Sequence, residues 1–230
     1  VLFGHGADRA TLLHAPGSEP IRLYAVRGDI LASTGRQVVR YEGSVAAENF
    51  YIAGKPVQMR AGRDIIATGY IAHSGALDIS VLNAGRDVLN ATLDVAGPGL
   101  LEVSAGRNIL QGQPLSGNQV SASTLRSIGP IAEGDTSPGA SIVLSAGMGA
   151  GGPDYAGFAA RYFDRANLAD AASPLADQPG KVAKTYEDRL LAWLRERFGY
   201  AGGAEGALAA FLALPAEQQG VLVREVFYEE

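Results

Sequence analysis

Three histidines, one Arg-Gly-Asp triplet and a scatter of carboxylates are the side chains with which this sequence could do chemistry. His5, His14 and His73 could ligate a metal, but no two lie at the i, i+4 spacing that puts both imidazoles on one helix face. They read as structural or solvated histidines. Arg27, Gly28 and Asp29 spell a tripeptide through which some adhesins bind integrins, and an exposed turn could present it. The same positions carry a permuted copy of a repeated turn, so a structural role is the simpler reading. Cleavage of a polysaccharide needs paired carboxylates on one face, or a calcium cluster. Asp64 and Asp87 belong to repeated turns, Asp78 and Asp94 are scattered, and residues 103–132 contain no Asp or Glu. The Gly-rich stretch 147–152 lacks the Gly-Lys-Ser/Thr ending of a phosphate loop and runs into Pro153, so it reads as a linker. With no Gly-x-Ser-x-Gly elbow and no dinucleotide fingerprint, the sequence predicts no catalytic residue, no cofactor and no metal.

Composition narrows the classes further. At 230 residues and 47% hydrophobic, the chain is long and apolar enough to bury a core. A net charge of −5 argues against a phosphate-backbone binder, which would carry a clustered basic face. The absence of Cys removes disulfides, thiolate zinc sites and a Cys nucleophile. No apolar run approaches the ~20 residues of a membrane-spanning helix, and the opening at Val1, inside an apolar stretch without a leader pattern, reads as a fragment.

The elements that would position these groups are announced by a repeat. Ala61-Gly62-Arg63-Asp64-Ile65, Ala84-Gly85-Arg86-Asp87-Val88 and Ala105-Gly106-Arg107-Asn108-Ile109 are near copies, spaced by 23 and then 21 residues. Val26 to Ile30 is a weaker copy upstream, and Ser145 to Met148 a degenerate one downstream. Alternating apolar residues precede each: Val57 and Met59, Ile79 and Val81, Leu101 and Val103, Ile142 and Leu144. Period two means strand. Gly62, Gly85 and Gly106 would supply a left-handed or bulged backbone, and Asp64, Asp87 and Asn108 an acceptor for an N–H two residues on. Stacked turns would align the carboxylates in one column and Arg63, Arg86 and Arg107 in another of opposite sign. Ile65, Val88 and Ile109 would form an aliphatic column inside. The expected fold is a right-handed parallel β-helix over residues 1–150, with a β-sandwich second because a sandwich has no reason to repeat one turn sequence.

Beyond Met148 the period changes to 3.6, which predicts a C-terminal α-helical subdomain over residues 151–230. Helices are expected at Tyr155–Leu168, at Lys184–Phe198 with Gly199 as its stop, near Glu205–Leu212, and after Pro215, with Asp170–Gly180 as a loop. These helices are expected to cover an open end of the solenoid. Glu187, Asp188, Arg189, Arg195, Glu196 and Arg197 read as a solvated face with local ion pairs.

The Ala-Gly-Arg-Asp-Ile repeat, at Ala61 to Ile65, Ala84 to Val88 and Ala105 to Ile109, resembles that of the filamentous haemagglutinin family of bacterial surface exoproteins. The stretch Asp154 to Phe163 with the terminal helices is similar to a C-terminal region of some members. The resemblance implies two-partner secretion through an outer-membrane transporter, display on the cell surface, and adhesion to a host-cell protein or glycan. It equally accommodates a non-adhesive cap or presentation module of a contact-dependent inhibition exoprotein, and less readily a β-helix carbohydrate-active enzyme.

Overall fold

The computed structural model describes residues 14–15, 17–32, 39–41, 44–46, 51–112, 123–130, 136–149 and 152–229; His5 lies outside them. The chain divides into two compact units, Val1–Gly152 and Pro153–Glu230. In chain order the strands are β1 (Ile21–Ala25), β2 (Ile30–Ala32), β3 (Val39–Tyr41), β4 (Ser44–Ala46), β5 (Tyr51–Ala53), β6 (Val57–Ala61) and β7 (Ile65–Ala72). They continue with β8 (Ile79–Ala84), β9 (Val88–Leu89), β10 (Thr92–Ala96), β11 (Leu100–Ala105), β12 (Ile109–Leu110), β13 (Leu125–Ser127) and β14 (Ser141–Ser145). The helices are α1 (Tyr155–Tyr162), α2 (Glu187–Phe198), α3 (Ala204–Leu212) and α4 (Ala216–Phe227).

The expected right-handed β-helix solenoid is corrected. The strands form two parallel sheets, and with the four helices the chain is an α/β-type mix. The first sheet runs β1-β6-β8-β11-β14, the second β12-β9-β7-β10-β13. In the second sheet β7 is a junction: its first residues pair with β2 and β9, its last with β5 and β10. A separate antiparallel pair joins β3 to β4. An even solenoid repeats one coil length, and here that spacing holds from β6 through β8 to β11 and from β7 through β9 to β12. On either side the register partners Ile21 and Val57, and Leu100 and Ser141, stand much further apart in sequence. The parallel strands therefore match the expectation only loosely. With the solenoid goes the expectation that helices cover its end.

Parallel register in the first sheet aligns like residues in columns. Leu23, Met59, Leu82 and Val103 form one, and Ala25, Ala61, Ala84 and Ala105 the next. Met59, Leu82 and Val103 are fully buried, and the small alanines let the adjoining turns close over them. In the second sheet Ile30, Ile65, Val88 and Ile109 are in register. Ile65 and Val88 are fully buried, whereas Ile109 is only partly so.

The helical unit has a core of its own, built on Phe163, Leu190, Leu194, Phe211, Leu222 and Val226. Helix α1 ends at Tyr162, short of the expected Leu168, because Asp164 adopts an extended backbone and its carboxylate accepts the Ala166 N–H to start a 3-10 turn. Helix α2 starts at Glu187, three residues later than expected. It stops at Gly199, whose φ of 64° is left-handed and whose N–H donates to Arg195 O. Two short 3-10 turns lie at Arg165–Asn167 and Leu175–Asp177, the second inside the expected loop. Among the described residues no helix is long and apolar enough to cross a membrane.

Candidate functional site

The repeated turns were expected to hold their charges in two offsetting columns, and the structure puts them in a staircase. Arg86 binds the Asp64 carboxylate in a bidentate pair at 3.1 and 2.6 Å. Arg107 pairs with Asp87 through Nη2 alone, to Oδ2, and Arg63 Nε lies 3.5 Å from Asp29. Each arginine thus reaches the carboxylate of the preceding turn. Each carboxylate also accepts a backbone N–H from the following one: Asp64 N donates to Asp29, Asp87 N to Asp64 and Asn108 N to Asp87, at 3.0 to 3.1 Å. The acceptor therefore works between turns, not two residues along its own turn. Burial works to raise the Asp87 carboxyl, but hydrogen bonds from Arg107 and Asn108 outweigh it and hold the group below the usual carboxylate range.

The glycines serve a different purpose from the expected one. Gly62, Gly85 and Gly106 have no left-handed φ. A Cβ at these positions would lie 2.1 Å from Val26 O, 2.4 Å from Gly62 O and 2.2 Å from Gly85 O. Glycine is required because successive turns approach this closely. The Arg27-Gly28-Asp29 triplet belongs to the same stack, with Asp29 at the place of Asp64 and Asp87 and with Arg27 exposed.

The arrangement that sequence reasoning missed is built around His73. His73 and Ser80 are both fully buried. The imidazole Nδ1–H donates to Pro98 O at 2.9 Å, and Nε2 accepts the Ser80 hydroxyl at 2.8 Å. Ser80 Oγ in turn accepts the Val57 N–H at 3.1 Å. The turn that supplies Pro98 O is tight: a Cβ on Gly97 would fall 1.9 Å from His73 O, and one on Gly99 3.1 Å from His73 Nδ1. Burial pushes His73 below its ordinary value, against the hydrogen bond to Pro98 and the field of Asp78. The neutral ring is thus the fitting form.

A Ser–His hydrogen bond is also the geometry of an activated nucleophile. Here Ser80 Oγ has no solvent path, since both partners are wholly enclosed, and the pair serves to satisfy a polar pocket inside the core. A signal for it was present. Counting back from Ala61 and Ala105, the inward positions are four and two residues earlier, and the same count from Ala84 lands on Ser80 and Leu82. Ile79 and Val81, the alternating apolar residues that mark this strand in the sequence, lie one out of that register.

Among the described residues no group of three His, Asp or Glu side chains is placed to hold a metal. In the helical unit Phe163, Arg165, Glu187, Glu205 and Leu208 line a cavity of about 160 Å³, well below the several hundred Å³ of a usual ligand pocket. The charged face of α2 pairs across the helical unit: Arg189 binds Glu225 at 3.4 Å and also Glu229, and Arg165 lies 3.5 Å from Glu187. Burial pushes the Arg197 guanidinium down, opposed by Glu225.

The other face of the first sheet carries an in-register row, Tyr24, Arg60, Asn83, Ser104 and Ser145. Tyr24, Arg60 and Asn83 are exposed, and Asn83 Nδ2 donates to Ser104 Oγ at 2.7 Å. No protein-family model, no curated protein and no solved structure matches this chain.

Proposed function

We propose that this chain is a structural and adhesive segment of a large secreted bacterial surface protein, not an enzyme, with a host-cell surface protein or glycan as its partner. One observation carries the reading: the repeated charged residues are engaged in joining turn to turn, while a row of hydrogen-bonding side chains with an aromatic ring stays exposed on the sheet. Tyr24 offers a ring face, Arg60 a planar fork of donors, and Asn83 a donor and an acceptor. Export through an outer-membrane transporter follows from the resemblance of the repeat, and belongs to the same proposal.

The test is binding of the full 230-residue chain to host-cell surfaces and to a broad glycan panel, beside Arg60→Ser and Asp29→Glu variants. Saturable binding that weakens in Arg60→Ser and survives Asp29→Glu supports adhesion through the sheet face. Loss in Asp29→Glu alone moves the site to the Arg27-Gly28-Asp29 turn. Absence of binding by the unmodified chain overturns adhesion and leaves a presentation module.

A further inference from the structure

Two buried polar atoms that make no hydrogen bond, His14 Nε2 and Ser74 Oγ, belong to residues that meet at one carboxylate, Asp78. The His14 ring is fixed from its other nitrogen: Nδ1–H donates to Ala15 O at 3.1 Å. That bond selects the neutral tautomer in which Nε2 carries a lone pair. Nε2 lies 3.1 Å from Asp78 Oδ2, off the line a hydrogen bond needs. The side chains of His14 and Asp78 are only 7% and 12% exposed, so water does little to screen two electron-rich atoms at this distance. The arrangement asks for a cation between them. His73 differs, because both of its ring nitrogens are engaged, one with Pro98 O and one with the Ser80 hydroxyl.

We propose that His14 and Asp78 bind a divalent cation of the zinc type, with the Ser74 hydroxyl as a third donor and water completing the shell. Donors about 2.0 to 2.2 Å from one zinc ion stand about 3.0 Å apart at a right angle and about 3.4 Å apart at the tetrahedral angle. The observed 3.1 Å falls in that interval. An imidazole beside a carboxylate suits zinc better than calcium or magnesium, which take all-oxygen shells. Both ligands also have the outer partners that orient metal ligands. The Ala15 carbonyl holds the imidazole through Nδ1–H, and the Ser74 and Gly75 N–H groups hold the carboxylate by donating to Oδ2 at 2.6 and 3.0 Å. With one imidazole and one carboxylate, short of the four ligands of a closed structural site, the ion is exchangeable. It ties the chain ahead of β1 to the turn between β7 and β8.

The test titrates the full 230-residue chain, stripped with EDTA and dialysed, with zinc chloride at a pH of about 7.5, where free imidazole is neutral. Calorimetry gives the affinity, and nitrogen spectra of the histidine rings give the ligand. His14→Gln and Asp78→Asn are titrated alongside, and calcium chloride replaces zinc in a parallel run. One zinc ion per chain is expected, with the His14 Nε2 resonance moving and that of His73 staying in place. Both variants are expected to lose about tenfold or more in affinity while keeping the strand circular-dichroism spectrum. Asp78→Asn keeps an oxygen for the Ser74 and Gly75 amides, so its turn persists. Absence of zinc binding up to about 1 mM, undiminished affinity in His14→Gln, or movement confined to another histidine ring overturns the proposal. Calcium bound as tightly as zinc overturns it as well, since calcium has no use for the imidazole. If a variant fails to fold, the ring spectra of the unmodified protein decide.

Discussion

Replacing Gly85 by alanine isolates the closeness of the stacked turns from every other property of the repeat. A Cβ at residue 85 would sit 2.4 Å from Gly62 O and 3.0 Å from Gly62 C, about 1 Å short of an ordinary van der Waals contact. Both atoms are backbone, so no side chain can swing aside. To make room the two turns must part, which stretches Gly85 N–H to Ala61 O at 2.8 Å and Arg86 N–H to Arg63 O at 3.0 Å. Weakening two such bonds costs roughly 1 kcal/mol each, and forcing an extra carbon into a packed site another 1 to 3. Alanine returns up to about 1 kcal/mol by stiffening the unfolded chain. The net loss expected is about 2 to 4 kcal/mol. In urea, with a slope of about 1 to 3 kcal/mol per molar, the midpoint of the strand circular-dichroism transition falls by about 0.7 M or more. Gly28→Ala is the control for the substitution itself, because it lies in the upstream copy, at the place of Arg63 and Arg86, and a Cβ there meets nothing within 4 Å. It should leave the midpoint unchanged or raise it slightly. Equal midpoints for Gly85→Ala and Gly28→Ala would refute the argument that close approach selects glycine.

Ser80→Val places an aliphatic residue in a largely aliphatic column yet is expected to destabilise by about 1 to 3 kcal/mol, because His73 Nε2 and the Val57 N–H lose their partner; urea melts check it. His73 has its folded value depressed by burial, so its contribution is complete above the unfolded value of about 6.5 and declines as the pH falls from there toward the folded value. A urea series between about pH 7 and pH 5 should show the decline, and His73→Gln should flatten it. Asp87, also depressed, contributes stability above the unfolded carboxylate value of about 3.9 that is lost as the pH drops through its lower folded value. Asp87→Asn should therefore be milder than Asp87→Ala, since it keeps an oxygen for the Asn108 N–H, and the two midpoints at pH 7 decide this. In the helical unit, Gly199→Ala at a φ of 64° should cost about 1 kcal/mol, read from Trp193 fluorescence during unfolding.

What the repeat made legible was its own stacking. Residues 61, 84 and 105 carry the same turn, and their structures pair as the copies suggest, with Ala61 opposite Ala84 and Ala84 opposite Ala105. What a five-residue motif does not encode is how the chain travels between copies. The intervals that flank the three close copies are longer: ahead of β6 both β2 and β5 pair with β7, and after β11 the chain passes through β12, on β9, and β13, on β10, before β14 pairs with β11. The role of the glycines was illegible because φ and close approach both select glycine, and a sequence does not separate them. His73 was hidden for a different reason: Ser80 looks outward when Ile79 and Val81 are taken as the inward pair, a slip of one residue that exchanges the two faces of β8. In the helical unit the Leu190 and Leu194 stripe and the Gly199 stop follow from period and local conformation alone, while the Arg189 partners on α4 and just beyond it required the tertiary arrangement.

The offset of the staircase by one step gives the stack a polarity with two unlike ends. At the beginning Gly28 stands where Arg63, Arg86 and Arg107 stand in the later turns, so the first step brings a carboxylate, Asp29, and no arginine at that place, whereas the last step carries no carboxylate of its own. Asn108 stands there, and its amide Nδ2 donates to Asp87 Oδ1 at 3.1 Å, something an aspartate could not do. An aspartate in its place would leave a negative charge waiting for an arginine from a further turn. The asparagine ends the ionic ladder but not the stack: it takes its register from the turn before it and offers no ionic template to the turn after it, which is joined through the backbone, Gly147 N–H to Arg107 O and Gly149 N–H to Gly106 O.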